Sequence, residues 1–216
     1  LFGNAGNDIL NGGSGIDDMR GGAGNDRYIV DNFRDVIREG SDNGTDLVQS
    51  STNYILRDSD LENLTLTGSE NINGDGNSLN NILTGNDGDN ILDGDSGNDT
   101  LNGRNGNDTL YGGDGTDTAV FSSRNNRINL DLTTAQNTGD GIDTFSSIEN
   151  VNAGGGNDIV KGNSGANRLN GGAGVDILFG NAGNDILNGG SGIDDMRGGA
   201  GNDRYIVDNF RDVIRE

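Results

Sequence analysis

A glycine-rich turn followed at fixed spacing by Asp or Asn, and then by one apolar side chain, recurs every nine residues along most of this chain. From Ala153 to Ile206 the sequence reads AGGGNDIVK, GNSGANRLN, GGAGVDILF, GNAGNDILN, GGSGIDDMR and GGAGNDRYI without a gap. The stretch from Gly76 to Val120 supplies five more copies and Gly3 to Ile29 three, fourteen in all. A nine-residue unit cannot enclose a core by itself, so iteration at this period requires stacking, each copy a rung resting on its neighbours. A longer period encloses the short one: Leu1 to Glu39 returns letter for letter as Leu178 to Glu216, an offset of 177 residues. This is the pattern expected of a piece cut from a tandem array of near-identical copies.

Each position of the unit has a physical task. Glycines at the first, second and fourth positions permit left-handed backbone angles and close approach of main chain to a ligand or a neighbouring turn. The three residues after the Asp position alternate outward, inward, outward, the period of a short strand with one buried side chain. The inward column comprises Leu10, Met19, Tyr28, Leu83, Leu92, Leu101, Leu110, Ala119, Val160, Leu169, Leu178, Leu187, Met196 and Tyr205. One apolar side chain per nine residues is thin. With 40 glycines among 216 residues and only 30% hydrophobic residues, burial alone does not offset the entropy of ordering the backbone. The bare chain is therefore expected to be disordered until something binds it.

Charge narrows what that can be. Thirty Asp and 5 Glu against 14 basic residues give a net charge of −21, which argues against nucleic acid and anionic membranes as partners. There is no Cys, His or Pro, so disulfides, thiolate or imidazole metal sites and catalysis through either group are excluded. No apolar run approaches the roughly 18 residues of a membrane-spanning helix. The stretch Asp93 to Arg104 begins like an EF-hand loop but has Gly97 at the fifth ligand position and Arg104 where a bidentate Glu belongs. Lys161 is not preceded by a phosphate-loop pattern.

The iterated G-G-x-G-x-D-x-U-x unit resembles the repeats-in-toxin (RTX) family of secreted bacterial proteins, whose signature for calcium it matches over 126 residues, fourteen units of nine. The resemblance implies an all-β fold, a right-handed parallel β-roll or β-helix solenoid in which two nonapeptides complete one turn and calcium ions sit in the loops between stacked turns. Calcium suits the side chains present: it is hard, takes six to eight oxygen ligands in forgiving geometry and accepts backbone carbonyls, whereas magnesium demands a stricter octahedron and zinc prefers His or Cys. The family's pairing rule, loop n beside loop n+2, gives five sites with two carboxylates: Asp8 with Asp26, Asp99 with Asp117, Asp158 with Asp176, Asp176 with Asp194, and Asp185 with Asp203. Three pairs carry an Asn, namely Asn81 with Asp99, Asn90 with Asp108, and Asn167 with Asp185, and are expected to bind weakly or not at all. Asp17 would face a residue preceding Leu1. The resemblance thus implies about five to eight calcium ions as the cofactor.

The chain divides on this reading into nonapeptide blocks at 1–29, 76–120 and 153–206, the first being the end of a preceding copy. Calcium-poor, β-rich connecting rungs fill 30–75 and 121–152, and 207–216 opens the next connecting segment. The runs DLVQSSTNYIL, ENLTLTG and RINLDL mark these as turns of the same solenoid or insertions that redirect it. A short helix within Tyr28 to Glu39 is an alternative. Antiparallel hairpins are the rival fold, since Asn11-Gly12 and Asn102-Gly103 suit tight turns, but hairpins do not account for Asp at every ninth residue. Outward charges such as Asp18, Arg20, Asp195 and Arg197 read as a solvated strand face.

Two functions are expected from the resemblance. One is a structural module of a long secreted surface protein, adhesin or filament, exported unfolded by a type I (one-step) channel, folding on calcium outside the cell, with copies associating end to end as far as a homopolymer. The other is the carrier and folding tail of a secreted enzyme or toxin. Paired carboxylates also equip glycosidases, but pairs repeated on every rung are better explained by ions, and no enzyme is expected. Binding of polysaccharide or ice along the outer face is disfavoured, because the outward positions lack a uniform Thr rank. No membrane insertion is expected.

Overall fold

The computed structural model describes residues 1–40, 44–57, 59–122 and 124–216. Among these residues there is no helix; strands of two to seven residues alternate with glycine-rich turns. The turn reverses the chain after each three-residue strand, so consecutive nonapeptides lie on opposite sides of a coil and alternate ones pair. Leu83 lies opposite Leu101 and Leu101 opposite Ala119 on one side, and Leu92 lies opposite Leu110 on the other, all in parallel register. Two nonapeptides therefore make one turn of a parallel β-solenoid. Hairpins are not its principle: among the described residues, antiparallel pairing is confined to Gln136–Asn137 against Ile142–Ser146.

The two sides of the coil differ. One is a single sheet of eleven strands, from Ile9–Asn11 to Arg204–Ile206. The connecting segments are built into it: Leu47–Ser50, Asn63–Leu66 and Asn150–Asn152 continue the column, with Tyr28 opposite Val48, Val48 opposite Leu64 and Ala119 opposite Val151. The other side is broken into three sheets, running from Phe2–Ala5 to Val36–Ile37, from Tyr54–Ile55 through Ile142–Ser146 to the edge strand Gln136–Asn137, and from Arg127–Asn129 to Val213–Arg215, while Ser96–Gly97 and Asp114–Gly115 form a two-stranded sheet within the glycine-rich turns. A cleft of about 320 Å³ lined by Phe33, Tyr54 and Ile55 opens at the first seam, and one of about 230 Å³ lined by Ile128, Leu132 and Gln136 at the second. At the second seam the Gln136 amide stands in for a strand. Its oxygen accepts from the Asn129 N–H and its nitrogen donates to the Asn129 carbonyl, both at 2.8 Å.

The core is one side chain wide. Thirteen of the fourteen inward residues are at most 4% exposed, and Tyr205 is half-buried. Connecting rungs supply bulkier fillers where turns lengthen, such as Phe121 and Phe145, whose rings meet edge to face at 5.7 Å between centroids. The stretch from Tyr28 to Glu39 is not helical: Tyr28 and Val30 point inward from the strand Arg27–Val30, and Ile37 from Val36–Ile37. Outward charges pair along a strand, Asp18 with Arg20 and Asp195 with Arg197, and across rungs, Asp18 with Arg38 and Asp195 with Arg215.

Candidate metal sites

The Asp at motif position six ends each glycine-rich turn two residues before the buried apolar side chain, and this fixes where its carboxylate goes. One oxygen ties the rungs together. The Asp8 N–H donates to Asp26 Oδ1 at 2.7 Å, and the same bond joins Asp99 to Asp117, Asp158 to Asp176 and Asp176 to Asp194 at 2.8 Å, and Asp185 to Asp203 at 2.9 Å. The Asn pairs are joined in the same way, Asn81 to Asp99 at 2.7 Å and Asn90 to Asp108 and Asn167 to Asp185 at 2.8 Å. All eight pairs read from the sequence lie side by side.

The other oxygen has no partner. Oδ2 of Asp8, Asp17, Asp26, Asp99, Asp108, Asp117, Asp158, Asp176, Asp185, Asp194 and Asp203 is buried without a hydrogen bond among the described residues. These are the eleven position-six aspartates of the sequence, without exception. In ten of the eleven loops Oδ2 overhangs the glycine at position one, the Asp158 loop carrying Ala153 there instead, and a carbonyl oxygen of the next rung often approaches the same spot. A Cβ on Gly94 would lie 2.3 Å from Asp99 Oδ2 and 2.5 Å from the Gly112 oxygen; on Gly180 it would lie 2.3 Å from Asp185 Oδ2 and 2.6 Å from the Gly198 oxygen. Glycine at position one keeps this space for oxygens. The loop that shapes it needs left-handed backbone at positions two and four, which all eleven Asp loops adopt, for example Gly172 and Gly174 at φ 101° and 139°.

A buried carboxylate oxygen without a partner is costly, and the titration of these groups reflects it. Burial, reinforced by neighbouring carboxylates and opposed by the backbone hydrogen bond, pushes Asp108 up to about 7 and Asp99, Asp158 and Asp176 up to about 6. Asp117, Asp185 and Asp194 are raised for the same first cause. A hard divalent cation would supply the missing charge and partner. The donor set is wholly oxygen, carboxylate and carbonyl, which fits calcium and offers zinc none of its preferred ligands.

The Asn loops are built differently. Asn90 Oδ1 accepts from the Asn86 N–H at 2.8 Å, while Nδ2 donates to the Ile72 carbonyl at 2.6 Å and to Asn86 Oδ1 at 2.9 Å. Asn81 makes the corresponding bonds with Asn77 and the Glu62 carbonyl, and Asn167 with Asn163 and the Glu149 carbonyl. Positions two and four of these loops, Asn77 and Leu79, Asn86 and Gly88, Asn163 and Gly165, are not left-handed. An amide closes the turn with both its donor and its acceptor satisfied.

The nonapeptide frame misses several partners. Asp17, which the sequence pairs with a residue before Leu1, is joined on its other side to Asp35 at 3.0 Å. Asp26 is joined to Asp46, Asp46 to Glu62, Asp108 to Asp143, Asp117 to Glu149, and Asp194 to Asp212. Asn126 donates to Asp158 and starts that run, as Asn81, Asn90 and Asn167 start others. Asp194, Asp208 and Asp212 bring carboxylate oxygens within 4.8 Å of one another.

A parallel solenoid whose turns are joined by ladders of buried, half-satisfied carboxylates is a cation-binding repeat protein. The model of the RTX calcium-binding nonapeptide repeat (4 copies) matches residues 1–37, 75–110, 84–119, 143–178, 152–187 and 179–214, and the chain belongs to that family. It is a calcium-binding β-solenoid, a structural module. A search of curated proteins finds no match to the chain.

Proposed function

We propose that this chain is a calcium-stiffened module of a long secreted surface, adhesin or filament protein, with 177-residue copies stacked end to end. The observation that carries the calcium part is the set of eleven unpaired, buried Oδ2 atoms on the eleven position-six aspartates. One ion serves each two-carboxylate pair, five within the nonapeptide blocks. The three Asn pairs, closed by their own amides, take none, so the blocks fall at the lower end of the five-to-eight range before partners from the connecting rungs 30–75 and 121–152 are added. The position-six aspartates and their rung partners bind metal; no side chain here does catalysis. Export as an unfolded chain through a type I channel suits such a module, because calcium that binds only the native form stabilises it by mass action once outside. Stacking of copies is supported by the two identical 39-residue segments. They make the same rung-to-rung bonds, Asp8 to Asp26 and Asp185 to Asp203, and Asp17 to Asp35 and Asp194 to Asp212.

A carrier and folding tail of a secreted enzyme or toxin would use the same ladders. The mass of the intact polypeptide separates the two: many further copies support the filament, an unrelated catalytic domain the carrier. For the calcium reading itself, circular dichroism and small-angle scattering in chelator should show an expanded chain without β signal, restored cooperatively by calcium. A compact, β-rich chain in chelator at pH 8, where the buried carboxylates are ionised, would overturn it.

A further inference from the structure

Where the first nonapeptide block meets the connecting segment, the loop of Asp26 gathers more carboxylates than its frame provides. Asp26, Glu39 and Asp46 each bring a carboxylate oxygen within 4.8 Å of the other two. Asp26 occupies motif position six, but Glu39 lies just beyond the strand Val36–Ile37 and Asp46 just before Leu47–Ser50. Both are tied to the same loop: the Asp26 N–H donates to Asp46 Oδ1 at 2.7 Å, and the Gly22 N–H donates to Glu39 Oε2 at 3.3 Å.

A fourth oxygen points into this group. The Tyr28 side chain is 0% exposed and Asp26 2%, yet the Tyr28 hydroxyl and Asp26 Oδ2 have no hydrogen-bond partner among the described residues. They aim at one space: a Cβ on Gly21 would lie 2.1 Å from each and 2.7 Å from Glu39 Oε1. In the identical second copy the Tyr205 hydroxyl is satisfied, accepting from the Gly198 N–H at 2.8 Å and donating to the Arg215 carbonyl at 3.3 Å.

We propose that Asp26, Glu39, Asp46 and the Tyr28 hydroxyl form a three-carboxylate calcium site that fills before the two-carboxylate sites of the repeat pairs, an inference that rests on the calcium reading above. Affinity for a hard cation rises with the number of carboxylates that face it, and a trivalent ion gains more than a divalent one. Terbium tests this directly, because the chain has no Trp and four Tyr, so sensitised emission reports a tyrosine beside the ion.

The full chain carrying Tyr54→Phe, Tyr111→Phe and Tyr205→Phe, which leaves Tyr28 as the one tyrosine, is titrated with terbium alone, with equilibrium dialysis of calcium in parallel. Emission should rise with the first equivalent and vanish when Tyr28→Phe is added. Glu39→Gln should raise the emission midpoint about tenfold, while calcium uptake falls by no more than one ion per chain. Should Glu39→Gln lose its β signal in calcium, Glu39→Asp, which keeps the charge on a shorter stem, is read instead and should raise the midpoint by a smaller factor. An unchanged midpoint in the variant that is read, or emission that survives Tyr28→Phe, overturns the site while leaving calcium binding elsewhere intact. A chain that takes up neither ion overturns the calcium reading and this site together.

Discussion

The loops of Asp176 and Asn167 are successive nonapeptides of equal length in one coil, and they are closed in opposite ways. Asp176 accepts the Asp158 N–H from the preceding rung through Oδ1 and leaves Oδ2 bare over Gly171, with Gly172 and Gly174 left-handed. Asn167 instead donates to the Glu149 carbonyl of the preceding rung and accepts from its own loop at Asn163, with no left-handed residue at either position. Exchanging one oxygen for an NH₂ reverses the direction of hydrogen bonding and removes both the charge and the need for an ion. The difference teaches that the turn has two solutions, one needing a cation and one complete in itself, and that runs of the first kind begin on the second at Asn81, Asn90 and Asn167.

The largest break in this contrast should come from the fourth loop position. A Cβ on Gly174 would sit 1.6 Å from the Gly156 carbonyl oxygen at a φ of 139°, whereas on Gly165 its nearest neighbour is Asn163 Oδ1 at 3.2 Å. Gly174→Ala should therefore cost about 3 kcal/mol or more from backbone strain and overlap, and Gly165→Ala no more than about 0.5 kcal/mol, measured by thermal unfolding in saturating calcium. Equal losses would show that the two loops are not distinct.

Exchanging the closing side chains should have intermediate effects. Asn90→Asp removes the donor to the Ile72 carbonyl and sets a carboxylate against it in a loop of the wrong handedness, so stability in calcium should fall by about 1–3 kcal/mol with no ion gained by dialysis. Asp176→Asn weakens two sites at once, because Asp176 bonds to both Asp158 and Asp194, and should raise the calcium midpoint of folding about tenfold.

The smallest effect is that of pH. Asp99, Asp158 and Asp176 near 6 and Asp108 near 7 lie above the ordinary 3.8, so the ion-free folded chain holds protons that the unfolded chain releases. Their stabilisation is complete below about pH 4 and is lost as pH rises through 6 to 7. In chelator, β signal should thus be greater at pH 4 than at pH 8, while the calcium midpoint rises as pH falls through the same window. An ion-free chain whose structure ignores pH would show that the buried carboxylates do not govern its folding.

The inward column and the position-six aspartates were legible because both keep a constant spacing, and the 18-residue step between paired rungs follows from two nonapeptides per turn. The partners in the connecting rungs were not, because there the step changes to 20 residues from Asp26 to Asp46, 16 from Asp46 to Glu62, 35 from Asp108 to Asp143 and 32 from Asp117 to Glu149. Loop length drifts while the distance from acid to buried apolar residue does not. Asp35 precedes Ile37, Asp46 precedes Val48, Asp143 precedes Phe145 and Glu149 precedes Val151, each by two residues. A search for that pair alone would have found them. The second loop type was half visible. Asn at position two does not announce it, since Asn4 and Asn181 occupy that position in Asp loops at φ 77° and 75°. Asn at positions two and six together does, because only then can one amide orient the other.

The unbroken eleven-stranded face has a mechanical consequence. A rod backed along its length by one hydrogen-bonded ladder, and faced by three separate panels, resists flexure unequally. Load that would stretch the backing is shared by every rung, whereas load in the opposite sense concentrates at two joints. The joint beside Phe33 and Tyr54 is the weaker hinge, since the other is stitched by Gln136. A chain of such rods would curl in one preferred direction, with calcium setting how stiff each panel is between its hinges.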